Sequence, residues 1–281
     1  MMSRKGASLV EVLVVIAIMG GLMGLLLGAV QKVRSTAAGL QDKNQLRQVV
    51  LAGHNYASAN EGRLPSGANG STEEFFLQDV LPYLEVTGSL SYPYPPYGIA
   101  FRVLPIYISR SDYALPEQST DQINMSAPTS LCMNATALKG TTNLAGSFPD
   151  GTSNTIAISE RLSYTGLQPN EFTYLGMVFQ TWLPGYFPTW RRGNFADQQQ
   201  RDVVPVTEGS PPRTRASTPG VTFQVVPKWF EADGRQLQAL QPGGLKVAML
   251  DGSVRTIHPG VSEATFWGLV TPAAGDIAEL D

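Results

Sequence analysis

Cysteine is almost missing from this chain of 281 residues. The single Cys132 excludes an intrachain disulfide, and it is expected as a small buried hydrophobe. No basic residue lies near it in sequence to make its thiol reactive. Histidine is nearly as scarce. His54 falls in a helical pattern, where it is expected to pack or hydrogen-bond, and His258 precedes Pro259 and is expected at the surface. No His-Glu-x-x-His, Gly-x-Ser-x-Gly or phosphate-loop pattern occurs, so no catalytic site and no cofactor is expected, and the chain reads as a non-enzyme. Charged residues make up only 15%, and the formal net charge of -3 gives no reason to expect a nucleic-acid partner. Low-complexity tracts and repeats of 20–50 residues are absent too.

What the chain does have is glycine (28), proline (20) and one long apolar run. The glycine and proline suit a loop-rich β domain outside the cytoplasm. From Val12 to Val30, nineteen residues carry neither charge nor polar side chain. As a helix this run spans roughly 28 Å, close to the ~30 Å hydrocarbon core of a bilayer. Arg4 and Lys5 precede it, then Gly6-Ala7, and Glu11 sits at its edge, where a charge needs a partner. Lys32 and Arg34 follow closely, so the flanking charges nearly balance.

Helical periodicity continues beyond the run. Val33, Ala37 and Leu40, then Leu46, Val50, Gly53 and Ala57, recur at spacings of three or four, with Lys32, Arg34, Asp42, Lys43 and Arg47 mostly on other faces. Gly62 and Pro65 end the pattern. One helix of about 50 residues, near 80 Å, is therefore expected. Its first half would anchor, and its second half would pack on a globular domain.

Ser71-Thr72-Glu73-Glu74 is a capping box for a short helix from Phe75 to about Leu81, closed by Pro82. Tyr92-Pro93-Tyr94-Pro95-Pro96-Tyr97-Gly98 reads as irregular, and Phe101 to Ile108 as an edge strand broken by Pro105. Residues 111–153 read mostly as loop, with a short strand near Leu131–Met133. Strands are expected at Thr155–Ser159, Phe172–Trp182 and Val221–Val226, with an irregular excursion over 185–218. Leu245–Leu250 and Ser253–Ile257 flank Asp251-Gly252, the strongest hairpin signal in the chain. Ser262 caps a last helix to about Val270. A long helix followed by hairpin-linked strands is α+β, with an antiparallel sheet covered by the amphipathic half of the helix.

Gly6-Ala7, Glu11 five places past the joint and the apolar helix resemble the N-terminus of type IV prepilins and pseudopilins. The resemblance implies a leader of residues 1–6, cut after Gly6 by prepilin peptidase, with Ala7 methylated. It implies an assembly helix over 7–30, an amphipathic continuation over 31–62 and a globular domain over 63–281. Glu11 would pair with the N-terminal amine of a neighbouring subunit. Placement follows: a single-pass inner (cytoplasmic) membrane protein, N-terminus cytoplasmic, outer domain extracytoplasmic, or a subunit of a surface or periplasmic filament. The partners implied are the peptidase, other pilin-like subunits and the membrane.

Further segments carry a second resemblance. They are His54-Asn55-Tyr56, Leu81-Pro82-Tyr83-Leu84-Glu85, Pro149-Asp150-Gly151-Thr152-Ser153-Asn154-Thr155, and the stretch from Pro242-Gly243-Gly244 to Asp251-Gly252-Ser253-Val254-Arg255. Together they resemble prepilin-like proteins whose globular part is the domain of unknown function 1559. That family ends in His, nine residues, then Asp-Gly; here Gln241 stands at the His position. Its Cys-Pro-Ser-Asp-Pro segment corresponds to Ser109-Arg110-Ser111-Asp112-Tyr113.

Two functional classes follow. One is a structural subunit, pilin-like or pseudopilin-like, of a type IV pilus or type II secretion system. The other is a bitopic envelope protein whose outer domain binds a glycan or calcium without polymerising. For calcium, Asp150 and Asn154 offer hard oxygen ligands on a turn, against an Asx-type turn in which both bond their own backbone. Trp182, Tyr186, Phe187 and Trp190 form either a core cluster or a ligand surface.

Overall fold

A computed structural model describes residues 9–65, 76–86, 91–94, 98–101, 104–114, 129–138, 142–168, 171–174, 194–196, 222–229, 231–232 and 236–272. The chain divides into two units, residues 1–40 and residues 41–281. Helix α1 (Leu9–Ala59) runs through the boundary.

In the first unit every large apolar side chain from Leu9 to Leu40 is exposed, and the helix there is long and apolar enough to cross a membrane. Val33 and Leu40, expected in the packed stripe, are 68% and 58% exposed. The stripe that packs is Asp42, Leu46, Val49, Val50, Gly53 and Ala57. Its spacings of four, three or four, then three or four follow the helical period without a break, whereas Leu40 is turned about 160° away from Asp42. Asp42 thus belongs to the buried face, which corrects the reading that placed it among the solvated charges.

The helix stops where glycine allows. Glu61 and Gly62 both take positive φ, and the Gly62 amide donates to the Ala57 carbonyl at 2.8 Å, closing the last turn. Helix α2 (Phe76–Asp79) and a 3₁₀ turn (Leu81–Tyr83) follow, so Pro82 lies inside the turn rather than ending a helix; the Ser71–Glu74 box lies outside the described residues. Strands β1 (Ser91–Tyr94) and β2 (Gly98–Phe101) form an antiparallel hairpin that includes Pro93. The sequence leads one to expect an irregular segment here, but a two-stranded ribbon has free edges where a proline loses no ladder bond. Pro105–Tyr107 is a 3₁₀ turn, not a strand, because proline opens a tight helical turn readily.

The main sheet collects β3 (Leu131–Asn134), β4 (Ile156–Glu160), β7 (Asn194–Phe195), β10 (Leu245–Met249) and β11 (Val254–Ile257) in the order β11-β10-β4-β3-β7. All pairs are antiparallel except β3–β7, which is parallel. Strand β7 lies within the stretch expected to be an irregular excursion; residues 185–193 and 197–218, with the four aromatics named above, lie outside the described residues. Smaller pairs are β5 (Tyr164–Gln168) with β6 (Glu171–Tyr174), and β8 (Phe223–Val225) with β9 (Leu237–Ala239). Strand β6 is the described start of the expected Phe172–Trp182 strand. The fold class is α+β: a long N-terminal helix packed on an antiparallel sheet.

The sheet buries both faces. On one, Leu46, Val49, Val50 and Ala57 of α1 pack with Leu131, Met133, Ile158, Ala248 and Leu250. On the other, helix α3 (Glu263–Val270) sets Phe266, Leu269 and Val270 against Cys132, Ile156, Val247 and Ile257. Ser262 caps α3 by accepting the Thr265 amide at 3.0 Å. Asn134, fully buried, ties the layers together. Its amide donates to Ile156 and Val270 carbonyls, and its oxygen accepts the Thr136 and Ala137 amides.

The β10–β11 turn sits on Asp251-Gly252 as expected. The Gly252 amide bonds the Met249 carbonyl, the Met249 amide bonds the Ser253 carbonyl, and Gly252 has φ +84°. This is a three-residue loop with glycine in the left-handed position, so the residue after the turn must tolerate positive φ.

A buried ionic cluster where the helix meets the sheet

The candidate site is built from three elements that the sequence separates widely. Asp42 lies on the buried stripe of α1, Glu160 ends β4, and Lys246 follows the first residue of β10. The Lys246 Nζ is 2.9 Å from Glu160 Oε2 and 3.3 Å from Asp42 Oδ2. Lys246, Glu160 and Asp42 are 3%, 1% and 2% exposed. Two carboxylates therefore share one ammonium in a nearly dry space, and such groups persist only when their remaining polar atoms are satisfied.

They are satisfied from several sides. Glu160 Oε1 accepts the amides of Lys246 (2.9 Å) and Leu240 (3.4 Å). Asp42 Oδ1 accepts the Arg110 amide at 2.7 Å, and Oδ2 accepts the Ser111 hydroxyl at 2.5 Å. Gln241 donates its side-chain amide to that hydroxyl oxygen at 3.0 Å. Asp112 in turn holds the 109–114 segment to the sheet by accepting the Ser130 hydroxyl and the Ser163 amide. Burial pushes the Glu160 carboxyl up to about 7, although Lys246 beside it pulls the other way. Arg161, also fully buried, is lowered from its ordinary value by the same desolvation.

A second fastening lies further along α1. His54 Nε2 is 2.7 Å from the Leu250 carbonyl at the β10–β11 turn. The 150–155 loop meets the same turn, with the Leu250 and Asp251 amides donating to Thr155 and Thr152 carbonyls. Gln45 makes a third, its amide donating to the Pro105 and Ile108 carbonyls at 3.1 Å each. An open cleft of about 330 Å³ lies here, lined by Gln41, Asn44, Gln45, Gln48, Pro105, Ile106 and Arg110.

Of the residues singled out from sequence, Gly6 and Ala7 lie outside the described residues, and Glu11 sits in the first turn of the exposed part of α1. Asp150 and Asn154 form a turn in which the Asn154 side-chain Nδ2 donates to the Asp150 carbonyl at 3.1 Å and Gly151 has φ +93°. Among the described residues no three His, Cys, Asp or Glu side chains gather in a group that could hold a metal ion. Cys132 and His258 are buried and exposed respectively, as expected. The Asp42–Glu160–Lys246 cluster is not among the sites expected from sequence. Two signals point to it: a lysine inside the otherwise apolar strand Leu245–Leu250, and a carboxylate four residues before Leu46 on the helical stripe.

Residues 108–261 match the family model described as Protein of unknown function (DUF1559), more than half of the chain. The chain is a member of that family. No curated protein and no solved structure matches it.

Proposed function

We propose that this chain is a pilin-like structural subunit, anchored and assembled through the first half of α1, with the family domain carried on its second half. The observation that supports this reading is the division of labour within one helix. From Leu9 to Val33 the large apolar side chains are exposed, and from Asp42 onward the same helix is fastened into a folded domain by an ion pair and hydrogen bonds. An apolar surface of that length needs a bilayer, neighbouring helices, or both. Glu11 at its edge needs a cation in either setting, and an N-terminal amine freed by cleavage before Ala7 would supply one.

Mass spectrometry of the native N-terminus tests the processing step. A mature protein beginning at N-methyl-Ala7 supports the reading; an intact Met1 start, or a start near Gly39, refutes it. Cross-linking in native membranes tests assembly. Glu11→Ala should insert normally yet lose the oligomer ladder of the wild type. Equal ladders would favour the alternative, a bitopic envelope protein whose outer domain binds its ligand as a monomer.

A further inference from the structure

We propose that Lys246 and Asp42 become joined by an intramolecular amide bond, with Glu160 carrying the protons, so that α1 is covalently tied to the sheet. The three groups have the placement this condensation needs. The nucleophile, Lys246 Nζ, lies 3.3 Å from one oxygen of the Asp42 carboxyl. The proton carrier, Glu160 Oε2, lies 2.9 Å from the same nitrogen. The other Asp42 oxygen, Oδ1, faces the Arg110 amide at 2.7 Å, a donor fixed by the backbone. Reactants held this close react as one molecule rather than two, and well-oriented intramolecular reactions reach effective concentrations of about 10⁵ M or more.

The condensation runs through a neutral amine and a neutral acid, a pair that carries no charge to be desolvated in a dry site. A proton passes from the Lys246 ammonium through Glu160 to Asp42. The free amine then attacks Cγ, and the charge that develops on Oδ1 is held by the Arg110 amide. The second proton lost by the nitrogen follows the first to Oδ2, which already accepts the Ser111 hydroxyl at 2.5 Å. The N–Cγ bond forms, the Cγ–Oδ2 bond breaks, and Oδ2 leaves as water. Glu160 ends as it began, and no oxidant or co-reactant is consumed. The raised affinity of Glu160 for its proton suits this role. The exclusion of water that makes the site dry also protects the amide from hydrolysis. The bond would close a loop between residues 204 apart in sequence. It goes beyond the assembly reading and does not depend on it.

The test is peptide mapping of the full chain purified from membranes, denatured and digested with trypsin. An amide at Lys246 blocks cleavage there, so residues 35–43 should be recovered joined to residues 236–255, lighter than the two peptides together by one water. Asp42→Asn should give the same branched peptide, now with loss of ammonia. Lys246→Arg should abolish it, and Glu160→Gln should abolish it or reduce it at least tenfold. Recovery of 236–246, 247–255 and 35–43 as separate peptides of full mass from the wild type would overturn the proposal. So would a water loss confined to a succinimide at Asp251-Gly252, which leaves the peptides unjoined. An undiminished branched peptide in Glu160→Gln would overturn the part given to Glu160.

Discussion

Glu160 should make the folded domain less stable as pH rises from about 5 to about 7. Its carboxyl binds a proton up to about 7 in the folded protein, against an ordinary value of 4.5, because burial disfavours the anion more than Lys246 favours it. Asp42 on α1 and Lys246 on β10 are the charged groups bonded into this cluster with it. Between those two pH values the folded state holds more protons than the unfolded state, so stability falls with increasing pH. The contribution is complete below about 4.5 and gone above about 7. Each pH unit between the two values is worth about 1.4 kcal/mol, which gives about 3 kcal/mol across the interval. For a domain of this size that corresponds to a fall in Tm of roughly 6–12 °C. Formation of the Lys246–Asp42 amide would remove the ammonium and leave the direction unchanged. The assay is thermal unfolding of the full chain in detergent at pH 5, 6, 7 and 8, for wild type and Glu160→Gln. The variant has no carboxyl to titrate, so subtracting its profile isolates this residue. A wild-type profile parallel to that of Glu160→Gln, or a difference that rises with pH, would refute the reasoning.

Three further substitutions probe what holds the helix and the sheet. Gly244→Ala should cost about 3 kcal/mol or more, because Gly244 has φ +119° and an added Cβ would collide with the Ile257 carbonyl oxygen; unchanged denaturant midpoints would count against the β10–β11 register. His54→Leu should leave the Leu250 carbonyl without its bond and destabilise by about 1–3 kcal/mol, read as a lower midpoint with faster amide exchange at residues 250–252; equal exchange would show that His54 does not fasten the turn. Asn134→Leu, close in size, should cost about 4 kcal/mol because four backbone groups lose their partner; a loss below about 1 kcal/mol in urea unfolding would contradict the buried network.

Much of this architecture is local in origin and legible for that reason. The long helix follows from apolar period and the glycine after it, the last helix from Ser262, and the β10–β11 hairpin from Asp251-Gly252. The segments that differ from expectation are those where tertiary context overrides local preference. Pro93 sits in a ribbon strand, Pro105 opens a 3₁₀ turn, and Leu237-Gln238-Ala239 becomes a strand only because β8 lies parallel to it. Asp42 reads as a solvated charge because a carboxylate on a helix usually is one. Its partners arrive from residues 110, 111 and 246, and no local pattern reports a pairing over that distance.

The family match begins at residue 108, so Asp42, Gln45 and His54 lie outside it, while most of the groups that meet them lie inside: Arg110, Ser111, Lys246 and the Leu250 carbonyl. The segments that carry the family resemblance are also those that grip α1. Ser109–Tyr113 presents an amide and a hydroxyl to Asp42, Gln241 steadies that hydroxyl, and the two Asp-Gly turns meet at Leu250 beneath His54. Their polar residues therefore have a physical use that requires no substrate. They satisfy a helix whose buried face carries a charge and an imidazole as well as apolar side chains. An apolar interface alone would hold α1 at many registers, since one aliphatic contact resembles the next. A buried carboxylate meeting a buried ammonium admits one register, because a slip of one residue would take Asp42 away from Lys246 and leave the helix carboxylate without its cation. If the first half of α1 bears load in a membrane or filament, this is where that load enters the domain. A covalent lock would be most useful at that junction.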